Sequence, residues 1–166
     1  MRVLVAYGSK RGGTAGLARM IADELIAGGL DVVVEPARSV GDLDGFDAVT
    51  VAGALYASRW HRDARRFIRR HTDALRARPV WLVASGPLDD RAVAGDLPPV
   101  AQVAKAMARI GARGEVTFGG RLAPDAKGFP ASAMAKTKAG DWRDPAHIHR
   151  WASAVAEQLS RPTRAA

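Results

Sequence analysis

The sequence predicts an α/β protein built on a doubly wound sheet of five parallel strands. Short apolar runs of strand length alternate with amphipathic helical stretches along the chain. The apolar runs are continuous, which is typical of strands whose two faces are both covered by helices. Because crossovers between parallel strands are right-handed, this alternation places helices on both sides of one sheet.

Five apolar runs are interpreted as the strands, and they cover residues 3–6, 32–34, 48–52, 80–84 and 116–118. Glycine follows the first, third and fourth runs within two residues, which favours sharp turns at those strand ends. In a doubly wound sheet, ligands bind outside the carboxyl ends of the strands, where the strand order reverses. The loops at those ends are therefore where we expect the chemistry.

Apolar residues at helical spacing predict the helices between these strands. Leu17, Ile21 and Leu25 form one face that Gly28 ends, and residues 64–75 form an arginine-rich helix. Residues 100–110 and 148–159 give two more faces, whereas residues 36–46 are too short and polar for more than a turn or a short helix. We expect one domain over residues 1–160, followed by a tail at 161–166.

Composition excludes several classes of site. The 166 residues contain no cysteine, which excludes disulfides, thiolate metal sites and thiol catalysis. The four histidines are scattered without a carboxylate cluster, so no metal site is predicted. No targeting segment or membrane span is apparent, and we expect a cytoplasmic protein.

The charge is strongly basic, with a formal net charge of +8. Residues 59–78 carry eight arginines against Asp63 and Asp73, and residues 119–140 carry a further excess of +3. Such clusters attract anionic partners. A solvated helix face that aids solubility is an alternative interpretation of the first cluster.

The loop Ser9-Lys10-Arg11-Gly12-Gly13-Thr14 lies between the first strand and the first helix. Free N–H groups and the helix dipole make a helix N-terminus an anion site, and glycines allow a ligand to approach closely. The loop lacks the Gly-Lys-Ser/Thr ending of an NTPase phosphate loop and the spacing G-x-G-x-x-G. Its position and its two hydroxyls favour a phosphate site over a plain turn.

This loop resembles the phosphate loop of flavodoxins, Ser/Thr-x-Thr-Gly-x-Thr, and the resemblance covers nearly the whole chain. Arg11 replaces a residue that usually carries a hydroxyl, and it offers a charge-assisted donor in its place. The resemblance implies non-covalent FMN. The residues then expected to hold the phosphate are Ser9, Lys10, Arg11, Gly12, Gly13 and Thr14.

In flavodoxins the loops after the third and fourth strands enclose the flavin ring. We expect Tyr56 or Trp60 to stack on the ring, because flat side chains in an exposed loop suit a flat cofactor. The second loop has no aromatic residue, which leaves one face of the ring open or in aliphatic contact. The residues assigned to the ring are Ala54, Tyr56, Trp60, Ser85, Gly86 and Pro87.

Within this family the sequence is most similar to the branch of menaquinone-dependent protoporphyrinogen dehydrogenases. The stretches that carry the similarity are residues 7–14, 51–54, 67–71, 118–122 and 140–144. That branch has an insertion where residues 123–140 lie here without helical or strand period, although the family's insertion is longer and richer in aromatic and basic residues. The similarity implies an FMN-dependent oxidoreductase that oxidises protoporphyrinogen and passes electrons to a quinone.

The partners expected on this interpretation are a small anionic substrate or a quinone, a redox partner protein, and the anionic inner face of a membrane. We assign no catalytic side chain. One alternative is a basic single-domain electron carrier, and another is a non-redox binding or regulatory protein. Nucleic-acid binding is disfavoured, because the apolar face of the arginine-rich helix is needed against the sheet and no recognisable nucleic-acid motif is present.

Overall fold

The computed structural model of the chain describes residues 1–89, 91, 97–129 and 131–161. Its central sheet has five parallel strands in the order β2-β1-β3-β5-β6, which confirms the predicted doubly wound α/β fold. These strands are β1 (Arg2–Gly8), β2 (Asp31–Pro36), β3 (Ala48–Tyr56), β5 (Val80–Ser85) and β6 (Gly114–Phe118). The strand β4 (Arg59–Trp60) pairs antiparallel with the end of β3.

Helices cover both faces of this sheet. On one face, α1 (Gly13–Ala27) and α6 (Pro145–Ser160) pack over Val3, Val5 and Val83. On the other face lie α2 (Arg62–Arg70), α3 (Thr72–Arg76) and α4 (Ala101–Ile110). Both faces of the strands are thus buried, as their continuous apolar character predicts. Among the described helices, none is long and apolar enough to cross a membrane.

Two elements differ from the sequence-based expectation. The predicted arginine-rich helix is in fact two helices. His71 interrupts it, because this residue is the C-cap of α2 and the N-cap of α3. The connection between β6 and α6, residues 119–144, contains β7 (Arg121–Leu122), α5 (Ala131–Lys138) and β8 (Gly140–Asp141). Of these, α5 lies wholly within residues 123–140, where we expected no helical or strand period. Residues 37–47 contain turns and no helix, as predicted. Of the expected tail, residues 162–166 lie outside the described residues.

Candidate functional site

The candidate site lies at the carboxyl edge of the sheet, where the strand order reverses between β1 and β3. Tyr7 and Gly8 at the end of β1 pair with Ala52 and Gly53 of β3, so the loops that leave these two strands are neighbours. Ser85 ends the adjacent β5 beside Ala54. The fold therefore brings the predicted phosphate loop and both predicted ring loops to one edge.

The loop after β1 has the geometry of an anion site. Gly12 has a φ of +80°, a left-handed conformation that suits glycine, and α1 begins at the next residue. The backbone N–H of Gly12 donates to Ser9 Oγ at 3.0 Å. No side chain caps the helix and its first turn has no acidic residue, so the first-turn N–H groups keep their capacity to bind an anion.

Thr14 lies in that first turn and is only 2% exposed. Within the described residues, its hydroxyl has no hydrogen-bond partner. A polar group in a mostly buried side chain is stabilised when it gains a partner, which makes Thr14 a donor available to a bound anion.

Arg11 links the phosphate loop to two other segments. Its Nη2 donates to the Lys127 carbonyl at 3.3 Å, and its guanidinium carbon lies 5.8 Å from the centre of the Tyr56 ring. Lys10 beside it is exposed. Arg11 is thus held between the phosphate loop, the β3–β4 hairpin and the β6–α6 connection.

The β3–β4 hairpin separates the two aromatic candidates. Trp60 is 1% exposed, and its indole N–H donates to the Val83 carbonyl at 3.2 Å. A Cβ on Gly53 would come closer than 3.0 Å to Trp60 Nε1, so the indole lies directly against that glycine. Trp60 as the stacking residue is therefore wrong, because its ring is buried in the core. Tyr56 is 39% exposed beside the turn and stays the candidate.

Hydrogen bonds and close packing hold the start of the loop after β5 against neighbouring segments. Ser85 is buried, the N–H of Gly86 donates to the Phe118 carbonyl at 3.0 Å, and the Pro87 carbonyl accepts from the Gly120 N–H at 2.9 Å. A Cβ on Gly86 would come within 2.7 Å of Leu55 Cβ, so this loop packs tightly on the β3–β4 hairpin. Ala54 is 7% exposed below it. Ala54, Ser85, Gly86 and Pro87 therefore lie packed together at the carboxyl edge of the sheet.

His61 adds a polar group beside the residues predicted for the flavin ring. It caps α2, since its Nδ1 accepts from the Asp63 N–H at 3.2 Å, and its ring centre lies 6.3 Å from that of Tyr56. Burial lowers the pKa of His61, although the nearby carboxylate of Asp63 opposes this. The imidazole is therefore neutral at pH 7, and the accepting Nδ1 places its proton on Nε2.

Arg143, which follows β8 in the two-stranded β7–β8 sheet, contacts the first turn of α1, and sequence reasoning missed this. Arg143 forms a bidentate ion pair with Asp141 (2.8 and 2.5 Å), and its Nη1 lies 3.5 Å from the Gly13 carbonyl. The hydrogen-bonded pair raises the pKa of Arg143 and lowers that of Asp141. A Cβ on Gly16 would come closer than 3.0 Å to Arg143 Nη1. The glycine at position 16 is therefore the one feature of the sequence that could have indicated this close contact.

Two cavities flank the phosphate loop. The larger, about 260 Å³, is lined by Arg11, Gly13, Arg121, Leu122, Ala123, Ala126 and Lys127. The other, about 190 Å³, is lined by Tyr7, Ser9, Gly12, Ala15, Pro36, Arg38 and Asp63. The described part of the chain contains no group of three or more side chains suited to hold a metal ion.

Half of the eight clustered arginines have structural roles. Arg65, Arg70, Arg76 and Arg78 donate to backbone carbonyls of neighbouring segments. Arg59, Arg66 and Arg69 are exposed and have no acidic partner among the residues described. The predicted attraction for anions therefore rests on fewer side chains than the count of arginines indicates.

A family model for the flavodoxin domain matches residues 4–129. This chain belongs to the flavodoxin domain family. The matched range contains the phosphate loop and both ring loops. Members of the flavodoxin family bind FMN.

Solved flavodoxins are similar over nearly the whole chain. A flavodoxin from the domain Archaea is 16% identical with a TM-score of 0.63, and the alignment covers 97% of this chain and 100% of that one. A point mutant of flavodoxin from Pseudomonas aeruginosa is 17% identical with a TM-score of 0.64 and the same coverage. Oxidised flavodoxin 2 from Bacillus cereus is 20% identical with a TM-score of 0.63, covering 95% and 99%. No curated protein matches this chain.

Proposed function

We propose that this flavodoxin domain binds FMN and transfers electrons through it at the carboxyl edge of the sheet. The observation that carries the proposal is the uncapped, glycine-rich N-terminus of α1, which lies at the reversal of strand order in a flavodoxin fold. A plain turn would not need an uncapped first turn, a left-handed glycine and a hydroxyl without a partner in one loop.

The donor set fits a phosphate. The first-turn N–H groups, the hydroxyls of Ser9 and Thr14, and the cations Lys10 and Arg11 all belong to one short loop. Main-chain donors and the helix dipole favour a dianion, and a charged side chain strengthens the hydrogen bonds. The acidic side chain that lines the neighbouring cavity, Asp63, is engaged with Arg62 at 3.6 Å.

When bound, FMN would supply one- or two-electron transfer chemistry. The residues of this chain would bind and orient it. The phosphate loop would hold the phosphate, Tyr56 would cover one face of the ring, and the Nε2–H of neutral His61 would offer a fixed donor at the edge. Gly86 and Pro87 would line the other side without an aromatic ring.

The visible absorption spectrum of the purified protein tests this proposal, recorded before and after addition of FMN and desalting. A flavin band that survives desalting is the expected result. A protein that stays colourless after FMN addition would contradict the proposal and would favour the non-redox binding alternative.

The finer hypothesis is that the substrate is protoporphyrinogen and the acceptor a quinone. It is supported by the basic side chains beside the phosphate loop, Arg11, Arg121 and Lys127, which suit propionate groups. Porphyrinogen oxidation by the FMN-loaded protein, measured with and without a menaquinone analogue, tests it. Quinone-dependent oxidation is expected. Absence of oxidation, with rapid electron exchange with a protein donor, would favour the alternative of a basic electron carrier.

A further inference from the structure

We propose that the larger cavity beside the phosphate loop binds a carboxylate of the protein's small organic redox substrate. This inference rests on the proposed function, because it places the substrate next to the flavin. The site is formed jointly by the phosphate loop and the β6–α6 connection, which supply three cationic side chains: Arg11, Arg121 and Lys127.

Among the residues that the structure describes, none of the three cations forms a salt bridge. Asp141 is the cross-strand partner of Arg121, whose charge helps to lower the pKa of that carboxylate, but the hydrogen bonds of Asp141 go to Arg143 in a bidentate ion pair. Three cationic side chains line one cavity of about 260 Å³, and a bound anion would offset the repulsion between their charges.

The other groups of the cavity suit an organic acid. Leu122, Ala123 and Ala126 provide an apolar wall for the carbon skeleton. The planar guanidinium groups of Arg11 and Arg121 match a carboxylate, which they can bind with two parallel hydrogen bonds. A few charged side chains beside an apolar surface are typical of sites that bind small molecules.

This cavity adjoins the position expected for the FMN phosphate and shares Arg11 and Gly13 with the phosphate loop. Ser9 and Gly12 of the phosphate loop line the other cavity. Arg11 also extends over the Tyr56 ring while it donates to the Lys127 carbonyl, so the cavity adjoins the side of the site where the flavin ring would lie. A carboxylate here would orient the substrate toward the ring.

Calorimetric titration of the FMN-loaded protein with benzene-1,3,5-tricarboxylate tests the inference. We expect binding by the wild type that is at least about tenfold weaker in Arg121→Gln and in Lys127→Gln. Lys136→Gln is the matched control, because it removes one charge from an exposed position of α5 that does not line the cavity. It should stay within about twofold of the wild type. Melting temperatures of all variants check that each is folded.

Separate titrations with FMN and with riboflavin test whether the cavity binds the FMN phosphate instead of a substrate carboxylate. FMN affinity should fall by no more than about threefold in any of the variants, since each lost charge acts on the phosphate only at long range. A larger loss of FMN affinity in Arg121→Gln without loss of riboflavin affinity would mean that the cavity holds the FMN phosphate, which would overturn the inference. An equal loss of tricarboxylate binding in Lys136→Gln, or no binding by the wild type at millimolar concentration, would also overturn it.

The apo protein separates this inference from the proposed function. If the chain does not bind FMN, the proposed function fails. Tricarboxylate binding to the apo protein that Arg121→Gln abolishes would then still support a carboxylate site in this cavity.

Discussion

Thr14 is the residue whose chemistry most directly tests the phosphate loop. Replacing it with valine keeps the buried shape and removes a first-turn hydroxyl that has no partner among the described residues. We expect Thr14→Val to weaken FMN binding by about 1–3 kcal/mol, the cost of a lost hydrogen bond to a charged group. Quenching of FMN fluorescence on titration measures this. Riboflavin, which lacks the phosphate, is the control ligand, and an unchanged FMN titration would contradict the loop assignment.

Substitutions of Tyr56 and Trp60 should have different effects: loss of Tyr56 should mainly weaken FMN binding, and loss of Trp60 should mainly lower stability. Trp60→Ala removes a buried indole and should lower the free energy of unfolding by about 3–5 kcal/mol. Tyr56→Ala removes a partly exposed ring that contacts Arg11 and His61, and it should lower the free energy of unfolding by only about 1 kcal/mol. FMN affinity should fall in Tyr56→Ala, although that variant keeps its fold. Urea denaturation and FMN titration of both variants measure the two effects; a stable Tyr56→Ala protein with normal FMN affinity would exclude Tyr56 as the stacking residue.

The register of one hairpin explains why the sequence left these two aromatics undecided. Leu55 pairs with Trp60 on the inner side, and Tyr56 pairs with the exposed Arg59. The turn between them is Ala57-Ser58, with φ values of 47° and 58°. Two-residue turns with both φ positive usually contain Asn-Gly or Asp-Gly. Alanine and serine give no such signal, so the pairing that buries Trp60 was not foreseeable from the residues alone.

At the level of elements, His71 sets a pH dependence at the break between α2 and α3. It is 8% exposed, its ring packs on Phe67, and its Nε2 has no hydrogen-bond partner in the described chain. Burial lowers its pKa below the ordinary value of 6.5. The unfolded chain therefore binds more protons below pH 6.5, and the free energy of unfolding falls as the pH falls through that range.

We expect His71→Phe to lose less stability than the wild type between pH 7 and pH 5. His61, whose pKa burial also lowers, keeps part of the pH dependence in the variant. Urea denaturation at both pH values measures the difference. Identical losses in the two proteins would show that His71 does not titrate as its burial implies.

The β6–α6 connection is the element that holds the proposed carboxylate site in place, and Gly119 is where its path is tightest. A Cβ at Gly119 would come closer than 3.0 Å to the Trp142 carbonyl oxygen, a backbone atom that cannot rotate away. We expect Gly119→Ala to displace β7 and β8 and to lower the free energy of unfolding by about 1–3 kcal/mol. Tricarboxylate binding should fall with it. The matched control is Gly41→Ala, where a Cβ meets nothing within 4 Å. Equal stability of the two variants would contradict this packing.

Elements with a strong apolar pattern were predictable, and this connection was not. The central strands and the faces of α1, α4 and α6 follow from continuous runs or helical spacing, because those residues are buried. Of α5, only Ala131 is buried, so its sequence carries no apolar face to identify. The β7–β8 pair is held by Arg143 and by close backbone packing rather than by an apolar run. Tertiary contacts of this kind leave little trace in local sequence.

For the whole molecule, the net charge of +8 should act on any anionic ligand before it reaches the site. FMN carries a phosphate dianion and riboflavin does not, so the pair separates this long-range attraction from stacking and shape. Raising the ionic strength from 0.01 to 0.15 M shortens the screening length from about 30 to about 8 Å. We expect the dissociation constant for FMN to rise at least about threefold over that range while that for riboflavin changes by less than about twofold. Fluorescence titrations at the two ionic strengths measure both.

Because exposed arginines such as Arg66 and Arg69 contact no ligand in this proposal, the double variant Arg66→Gln with Arg69→Gln should reduce the salt dependence of FMN binding without changing riboflavin binding. If FMN and riboflavin respond equally to salt, the basic surface does not attract the cofactor, and its charge must be explained by some other partner.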